Sequence, residues 1–240
     1  MCAMKQRATL TDEIRVLLKL YPVFRRYSKD RKRIRSDTNH TWDPSMEEHG
    51  RRAVQTFIDL GPTYIKLGQV ISARPDLLPN EYIKAFEQLQ DSVPPAPFEA
   101  VKPIIESEIG KIEEIFTDFD KNAISGASLG QVYRAIYKDK QVVVKVNRPN
   151  IRQQIKHDIA ILERLLRLAR RRLESYLYIS FESVIFDFRD RIFDEADYVK
   201  EAGNIERIRE NLVNRKERVI VPAVFHEVDD GMIIVGLLTM

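Results

Sequence analysis

The stretch Asp118-Phe119-Asp120-Lys121-Asn122-Ala123-Ile124, Ser125-Gly126-Ala127-Ser128-Leu129-Gly130, Gln131-Val132-Tyr133-Arg134-Ala135-Ile136-Tyr137, then Gln141-Val142-Val143-Val144-Lys145-Val146-Asn147 decides the fold. It reads as three short strands, with a small-residue turn after the first and Lys138-Asp139-Lys140 turning the second into the third. Gly126, Ala127, Ser128 and Gly130 keep side chains out of the way of anything above the turn, so its N–H groups can approach phosphate oxygens closely. Val142, Val143, Val144 and Val146 favour a strand, and Lys145 interrupts them with a charge that needs a partner if it faces inward.

A protein-kinase signature pairs a loop G-x-G-x-x-G-x-V with a strand ending in V-A-I-K. Gly130-Gln131-Val132 and Val142-Val143-Val144-Lys145 fit its second half, whereas Ser125 and Ala127 stand where the first two glycines would be. A plain antiparallel hairpin with a surface lysine accounts for these residues equally well, since short glycine motifs match often by chance.

At 240 residues and 44% hydrophobic, the chain suffices for one large or two smaller domains. No run approaches the roughly 20 apolar residues of a membrane span, and Met1 to Leu20 lacks the apolar centre of a secretory signal. A single cysteine, Cys2, excludes a disulfide framework and a cysteine metal site and points to a reducing, cytoplasmic setting. The formal net charge is only +3, but Met1 to Arg35 carries eleven Lys and Arg against Asp12, Glu13 and Asp30.

Leu10, Ile14, Leu17, Leu18 and Tyr21 recur at helical spacing among Arg15, Lys19, Arg25 and Arg26, until Pro22 is expected to interrupt the helix. Such a basic amphipathic helix suits an anionic membrane surface or a partner protein. Lys29 to Arg35 reads either as a solvated arm or as a patch that binds the phosphates of nucleic acid, and a packed helix with a charged outer face fits as well. Ser36 to Trp42 reads as a linker, with Asp43-Pro44 as N-cap and first turn of the next helix. Gly61-Pro62 opens a helix through Ala73 in which Lys66 and Gln69 share a face. Gly68 costs that helix about 1 kcal/mol relative to alanine, so a close approach by another group is expected there. Helices follow at Pro79–Gln90 and Phe98–Ile109, separated by the rigid connector Val93–Pro97. Beyond the strands, helices are predicted over Asn150–Arg172 and Phe181–Leu212, then strands over Val219–Val224 and Met232–Met240. Asp197 and Glu201, four apart, would repel each other on one helix face. A nearby cation or metal explains them better than solvent does.

Lys66-Leu67-Gly68-Gln69, Ala127-Ser128-Leu129-Gly130-Gln131, Lys145, Glu195-Ala196-Asp197 and Glu201-Ala202, in this order, resemble the UbiB or ADCK family of atypical kinases over roughly Gly61 to Met240. The resemblance implies an α+β fold: a helical extension carrying the K-x-G-Q motif, then a kinase-like small lobe with a five-stranded antiparallel sheet and added helices. It divides the chain into a basic segment 1–42, the extension 43–115 and the nucleotide-binding lobe 116–240. It assigns Lys145 and Glu201 as the catalytic ion pair, and Ser125, Gly126, Ala127, Ser128, Gly130, Val132 and Lys145 to ATP. Lys66, Gly68, Gln69, Glu195 and Asp197 become residues that occlude the acceptor site. The loop departs from the family in reading Ser-Gly-Ala-Ser where consecutive alanines are usual.

Kinase chemistry also requires a catalytic-loop aspartate and a D-F-G aspartate that holds metal. Neither motif follows Lys145; Asp187-Phe188-Arg189 has the wrong third residue and a helical context. The chain is therefore expected to be the N-terminal half of an atypical kinase or ATPase serving isoprenoid quinone or lipid biosynthesis, inactive alone. Mg2+ binding is expected only with the remaining lobe, and no metal ligands are assigned here. The alternative is a non-catalytic module whose basic helices hold an anionic membrane or nucleic acid; lipid is the expected partner, with peripheral attachment.

Overall fold

In the computed structural model the residues described are 10–37, 42–91, 94–126, 128–171, 173–212, 221–227 and 232–236. Contacts divide the chain into two compact units: Met1–Ser92 with Gln153–Asp190, and Val93–Arg152 with Arg191–Met240. Each unit thus takes two separate lengths of chain.

The first unit is helical. It opens with α1 (Leu10–Ser36), α2 (Pro44–Leu60), α3 (Pro62–Ser72) and α4 (Asn80–Phe86), the last running into a 3-10 turn at Glu87–Asp91. Pro22 does not end α1 as expected. Proline removes one N–H from the ladder, but Val16 before it and Tyr27 after it are both buried, so packing on the two sides holds one continuous helix. The Lys29–Arg35 segment is accordingly the end of that helix, not an arm. Residues 38–41 of the expected linker lie outside the described residues; Asp43 caps α2 as the sequence predicts, accepting from the Ser45 N–H at 2.8 Å. The helix predicted over Pro79–Gln90 tightens after Phe86 into the 3-10 turn.

The unit's core is aromatic and specific. Tyr27 meets Tyr82 and Phe181 edge-on at 5.9 and 6.2 Å, and Phe57 meets Phe86 at 5.2 Å. Such pairs add about 1 kcal/mol each beyond buried area. Buried Asp30 accepts from the Tyr82 hydroxyl at 2.8 Å and pairs with His49 Nδ1 at 2.7 Å.

The second unit holds α5 (Phe98–Ile109), α6 (Ile112–Ile115) and an antiparallel sheet of β1 (Asp118–Phe119), β2 (Ser125–Gly126), β3 (Gly130–Tyr137), β4 (Lys140–Asn147), β5 (Val224–Glu227) and β6 (Met232–Gly236). Five strands run β1-β3-β4-β6-β5, and β2 adds a sixth on β3. The sixth arises because the first predicted strand is broken: Asp120 Oδ1 accepts from the Asn122 N–H at 2.9 Å, turning the chain between β1 and β2. The β3–β4 turn is a two-residue hairpin with Lys138 and Asp139 both at positive φ, the geometry that matches strand twist. Strand β5 begins at Val224, after Pro222, which lacks the N–H a ladder needs. Residues 219, 220 and 237–240 of the last two predicted strands lie outside the described residues.

Alternation sorts the two faces of the sheet. Val142, Val144 and Val146 of β4 are buried with Tyr133, Ala135, Met232 and Ile234 against Val101 and Ile105 of α5. On the opposite face Ile233 packs with Tyr198 and Ala202. These two belong to the last helix, α9 (Tyr198–Leu212), which follows α7 (Ile151–Ala169) and α8 (Ser175–Glu195). A single helix over Phe181–Leu212 is therefore not observed. Its break has a cause: the buried Ala196 carbonyl accepts from Asn147 Nδ2 at 2.9 Å and from an Arg152 guanidinium nitrogen at 3.3 Å, so it faces side-chain donors at the helix junction.

Candidate phosphate-binding site

Strand register assembles the site. Ser125 of β2 lies opposite Val132 of β3, Val132 opposite Lys145 of β4, and Lys145 opposite Ile233 of β6. Directly opposed residues share a face, so Ser125, Val132, Lys145 and Ile233 form one row across the sheet. Ser125 and Lys145, two strands apart, are separated by about 10 Å of sheet. Gly130 and Asn147 are opposed in the next row on the same face.

Lys145 donates to both carboxylate oxygens of Glu201, at 2.9 and 2.7 Å. The strand lysine and the helix carboxylate assigned from the family resemblance are thus brought together. Both side chains are about a third exposed, so the pair contributes mainly geometry, because solvent screens the attraction of exposed charges. An ammonium has three N–H donors; with two on Glu201, the third is available to an anion. Glu201 stands in the first turn of α9, where Asp197 is the N-cap, its Oδ1 accepting from the Lys200 N–H at 3.1 Å. Asp197 and Glu201 therefore do not form the repelling pair on a helix face that the sequence implies. Lys145 supplies the cation beside Glu201, and Lys200 answers Asp194. Among the described residues no group of three or more His, Cys, Asp or Glu is placed to hold a metal.

Sequence reasoning passed over Tyr198. Its ring lies under the Lys145 ammonium, with Nζ 4.9 Å from the centroid. Burial, with Glu201 and Glu195 adding negative charge, drives its phenol well above the usual range, so the hydroxyl stays protonated. The signal was present: Tyr198 and Glu201 are three apart, hence on one face of α9, but an aromatic in a helix ordinarily reads as core.

Gly130 is explained by the same residue. A Cβ there would stand 2.3 Å from the Tyr198 hydroxyl oxygen and 2.7 Å from the Val146 carbonyl. Its role is to admit Tyr198, not to supply an unusual backbone conformation. Ser125 is exposed and Gly126 half-buried, while Ser128 is buried; Ala127 lies outside the described residues. Buried Gln131, just past the loop, ties β3 to the connector: its Oε1 accepts from the Ala96 N–H at 2.8 Å and its Nε2 donates to the Ala96 carbonyl at 3.2 Å.

The K-x-G-Q residues belong to the first unit. A Cβ on Gly68 would fall 2.4 Å from Leu89 Cδ1 and 3.1 Å from Phe57 Cδ1. The close approach expected there is therefore by core side chains. Gln69 Nε2 donates to the Leu89 carbonyl at 2.9 Å, and Lys66 is half-buried on α3. Glu195, at the end of α8, is exposed, and Asp197 is half-buried.

The family described as the ABC1 atypical kinase-like domain matches residues 88–237. An uncharacterized protein of Synechocystis sp. is 40% identical over 199 residues, covering 79% of this chain and 35% of that protein. The probable protein kinase UbiB of Pseudomonas aeruginosa is 41% identical over 164 residues, covering 68% and 31%. Among solved structures, a Mycobacterium tuberculosis protein in complex with erythromycin has a TM-score of 0.47 at 23% identity, covering 72% of this chain and 43% of that one. The chain spans about a third of the length of the curated relatives it matches.

Proposed function

This chain belongs to the ABC1 atypical kinase-like family, and from that premise we propose that its sheet unit binds the phosphates of ATP through Lys145, as part of an atypical kinase or ATPase acting in isoprenoid quinone or lipid biosynthesis. The observation that carries the reading is the bidentate Lys145–Glu201 pair. A strand lysine held by a helix carboxylate that takes only two of its three N–H donors suits an oligophosphate better than a neutral ligand. Exposed Ser125, in the lysine's own cross-strand row, adds a hydroxyl donor and the loop N–H groups before Gly130 add others. ATP bound there would supply the phosphoryl group; Glu201 orients the ammonium, and Val132 gives the row an apolar member beside it.

Isothermal titration of ATP against the wild-type chain and its Lys145→Ala and Glu201→Gln variants tests this. Loss of one charge-assisted contact, about 1.5–3 kcal/mol, weakens binding roughly tenfold or more in Lys145→Ala. The Glu201→Gln variant weakens it less. Equal affinity in all three overturns the assignment.

A separate observation supports an anionic lipid surface as a partner. Ile14, Leu17, Leu18 and Tyr21 form an exposed stripe on α1 at spacing i, i+3, i+4, i+7, and Arg15, Arg25, Arg26 and Lys29 around it are exposed as well. An apolar stripe rimmed by cations matches the boundary between acyl chains and anionic headgroups. Among the described residues no helix is long and apolar enough to cross a membrane.

A further inference from the structure

We infer that Tyr198 is a positioning residue for Lys145, fixing where its ammonium meets phosphate through the face of its ring; this rests on the phosphate-binding role of Lys145 proposed above. Three observations converge on it. The ammonium lies 4.9 Å from the ring centroid, within the range of a cation–π contact. Tyr198 and Glu201 leave the first turn of α9 on one face, so a single capped helix presents both the ring and the carboxylate to the lysine. The hydroxyl end of the ring is lodged against Gly130, where any side chain would collide with it, and the ring is almost wholly buried.

Each contact alone leaves the lysine free to swing. A carboxylate can hold an ammonium over a range of directions, because Lys behaves as a point charge on a flexible stem. A ring beneath it closes the directions on its own side. The lysine is then confined to the arc above the ring and beside Glu201, which keeps its third N–H directed away from both. Gly130 extends the arrangement to the loop: the residue that closes the small-residue turn touches the ring that holds the lysine. Loop and cation are thus registered to one another through Tyr198.

The test keeps the six-membered ring, first without its hydroxyl, and then withdraws charge from its face step by step. Tyr198 is replaced by phenylalanine and then by mono-, di- and trifluorinated phenylalanines, which withdraw charge from the ring face. Dissociation constants for ATP and for adenosine are measured by competition with a fluorescent ATP analogue, with Lys145→Ala in parallel. Tyr198→Phe is expected to bind ATP within about threefold of wild type. ATP then weakens progressively along the fluorinated series, by roughly two- to fivefold in total for a contact of the usual exposed strength, while adenosine binding stays flat. A flat ATP series alongside a weakened Lys145→Ala overturns the positioning role and leaves the phosphate reading intact. Parallel weakening of ATP and adenosine also overturns it, as that is the mark of packing alone. If Lys145→Ala binds ATP as wild type does, the phosphate reading itself falls, and this inference with it.

Discussion

Gln69 donates its side-chain amide to the Leu89 carbonyl across 2.9 Å, while Gly68 beside it, lacking a Cβ, leaves room for the Leu89 side chain. Two neighbouring residues of one motif thus hold one leucine, by its backbone and by its side chain. Gly68→Ala is expected to destabilise the first unit, because overpacking costs about 1–3 kcal/mol and exceeds the roughly 1 kcal/mol that alanine returns as helix propensity. Gln69→Ala should cost about 1–3 kcal/mol by stranding the carbonyl. Urea unfolding midpoints check both, and a stabilised Gly68→Ala protein would contradict the packing.

Asp158 carries a pH dependence. Burial pushes its carboxyl from 3.8 up to about 6, with Asp12 adding to the rise and the nearby Thr63 hydroxyl and His157 opposing it. Among the described residues the buried Tyr64 hydroxyl has no hydrogen-bond partner. Well below pH 3.8 the group is protonated folded and unfolded, and no penalty exists. As pH rises from about 3 to 6 the unfolded chain ionises first, so the folded state loses up to about 3 kcal/mol, at 1.36 kcal/mol per pH unit of displacement. Asp158→Asn should therefore unfold like wild type near pH 3 and be the more stable protein at pH 7. Urea titrations at the two pH values decide it.

Asp30 is a buried carboxylate with two donors, Tyr82 and His49. Asp30→Ala leaves both without an acceptor and is expected to cost about 3 kcal/mol or more. Tyr82→Phe removes one neutral donor and should cost about 1–2 kcal/mol. A ranking in the opposite order, measured by thermal or urea unfolding, would show that the network does not hold the helices.

Reversing the stripe on α1 probes the proposed lipid surface. Leu18, 68% exposed, can be changed to glutamate with little effect on folding. Leu18→Glu should weaken co-sedimentation with vesicles of anionic lipid by several-fold, and raised salt should weaken the wild type too. Unchanged vesicle binding discards the stripe as the contact. Tight, steeply salt-dependent RNA or DNA binding without lipid preference would favour nucleic acid.

Much of this was legible in the residues themselves. Asp43-Pro44, the Val142–Val146 run and the α3 boundaries follow from capping, β-branching and Pro/Gly punctuation, and each is local. The Lys145–Glu201 pair spans 56 residues, and no local pattern fixes such a contact; only the order of motifs shared with a family pointed to it. What failed was also physical. Pro22 reads as a breaker because the rule weighs one lost N–H and not the buried Val16 and Tyr27 on either side. The split at Ala196 depends on Asn147 and Arg152 reaching its carbonyl from distant sequence. Gly130 reads as a residue that keeps side chains clear of the loop, and what needs that space is Tyr198, far away in sequence.

The interleaving of the two units has a consequence for biosynthesis. A ribosome delivers the chain from the N-terminus at several residues per second, so helices α1 to α4 emerge well before Gln153–Asp190, the other part of their unit. About 60 residues of the sheet unit are made in between, and that unit in turn waits for Arg191 onward. Neither can close on itself until synthesis has passed the far side of the other. Tyr27, whose ring packs edge-on against Phe181, spends that interval without its neighbour. The α1–α4 segment thus leaves the ribosome able to form its own pairs, Tyr27 with Tyr82 and Phe57 with Phe86, while the face that receives Phe181 stays uncovered.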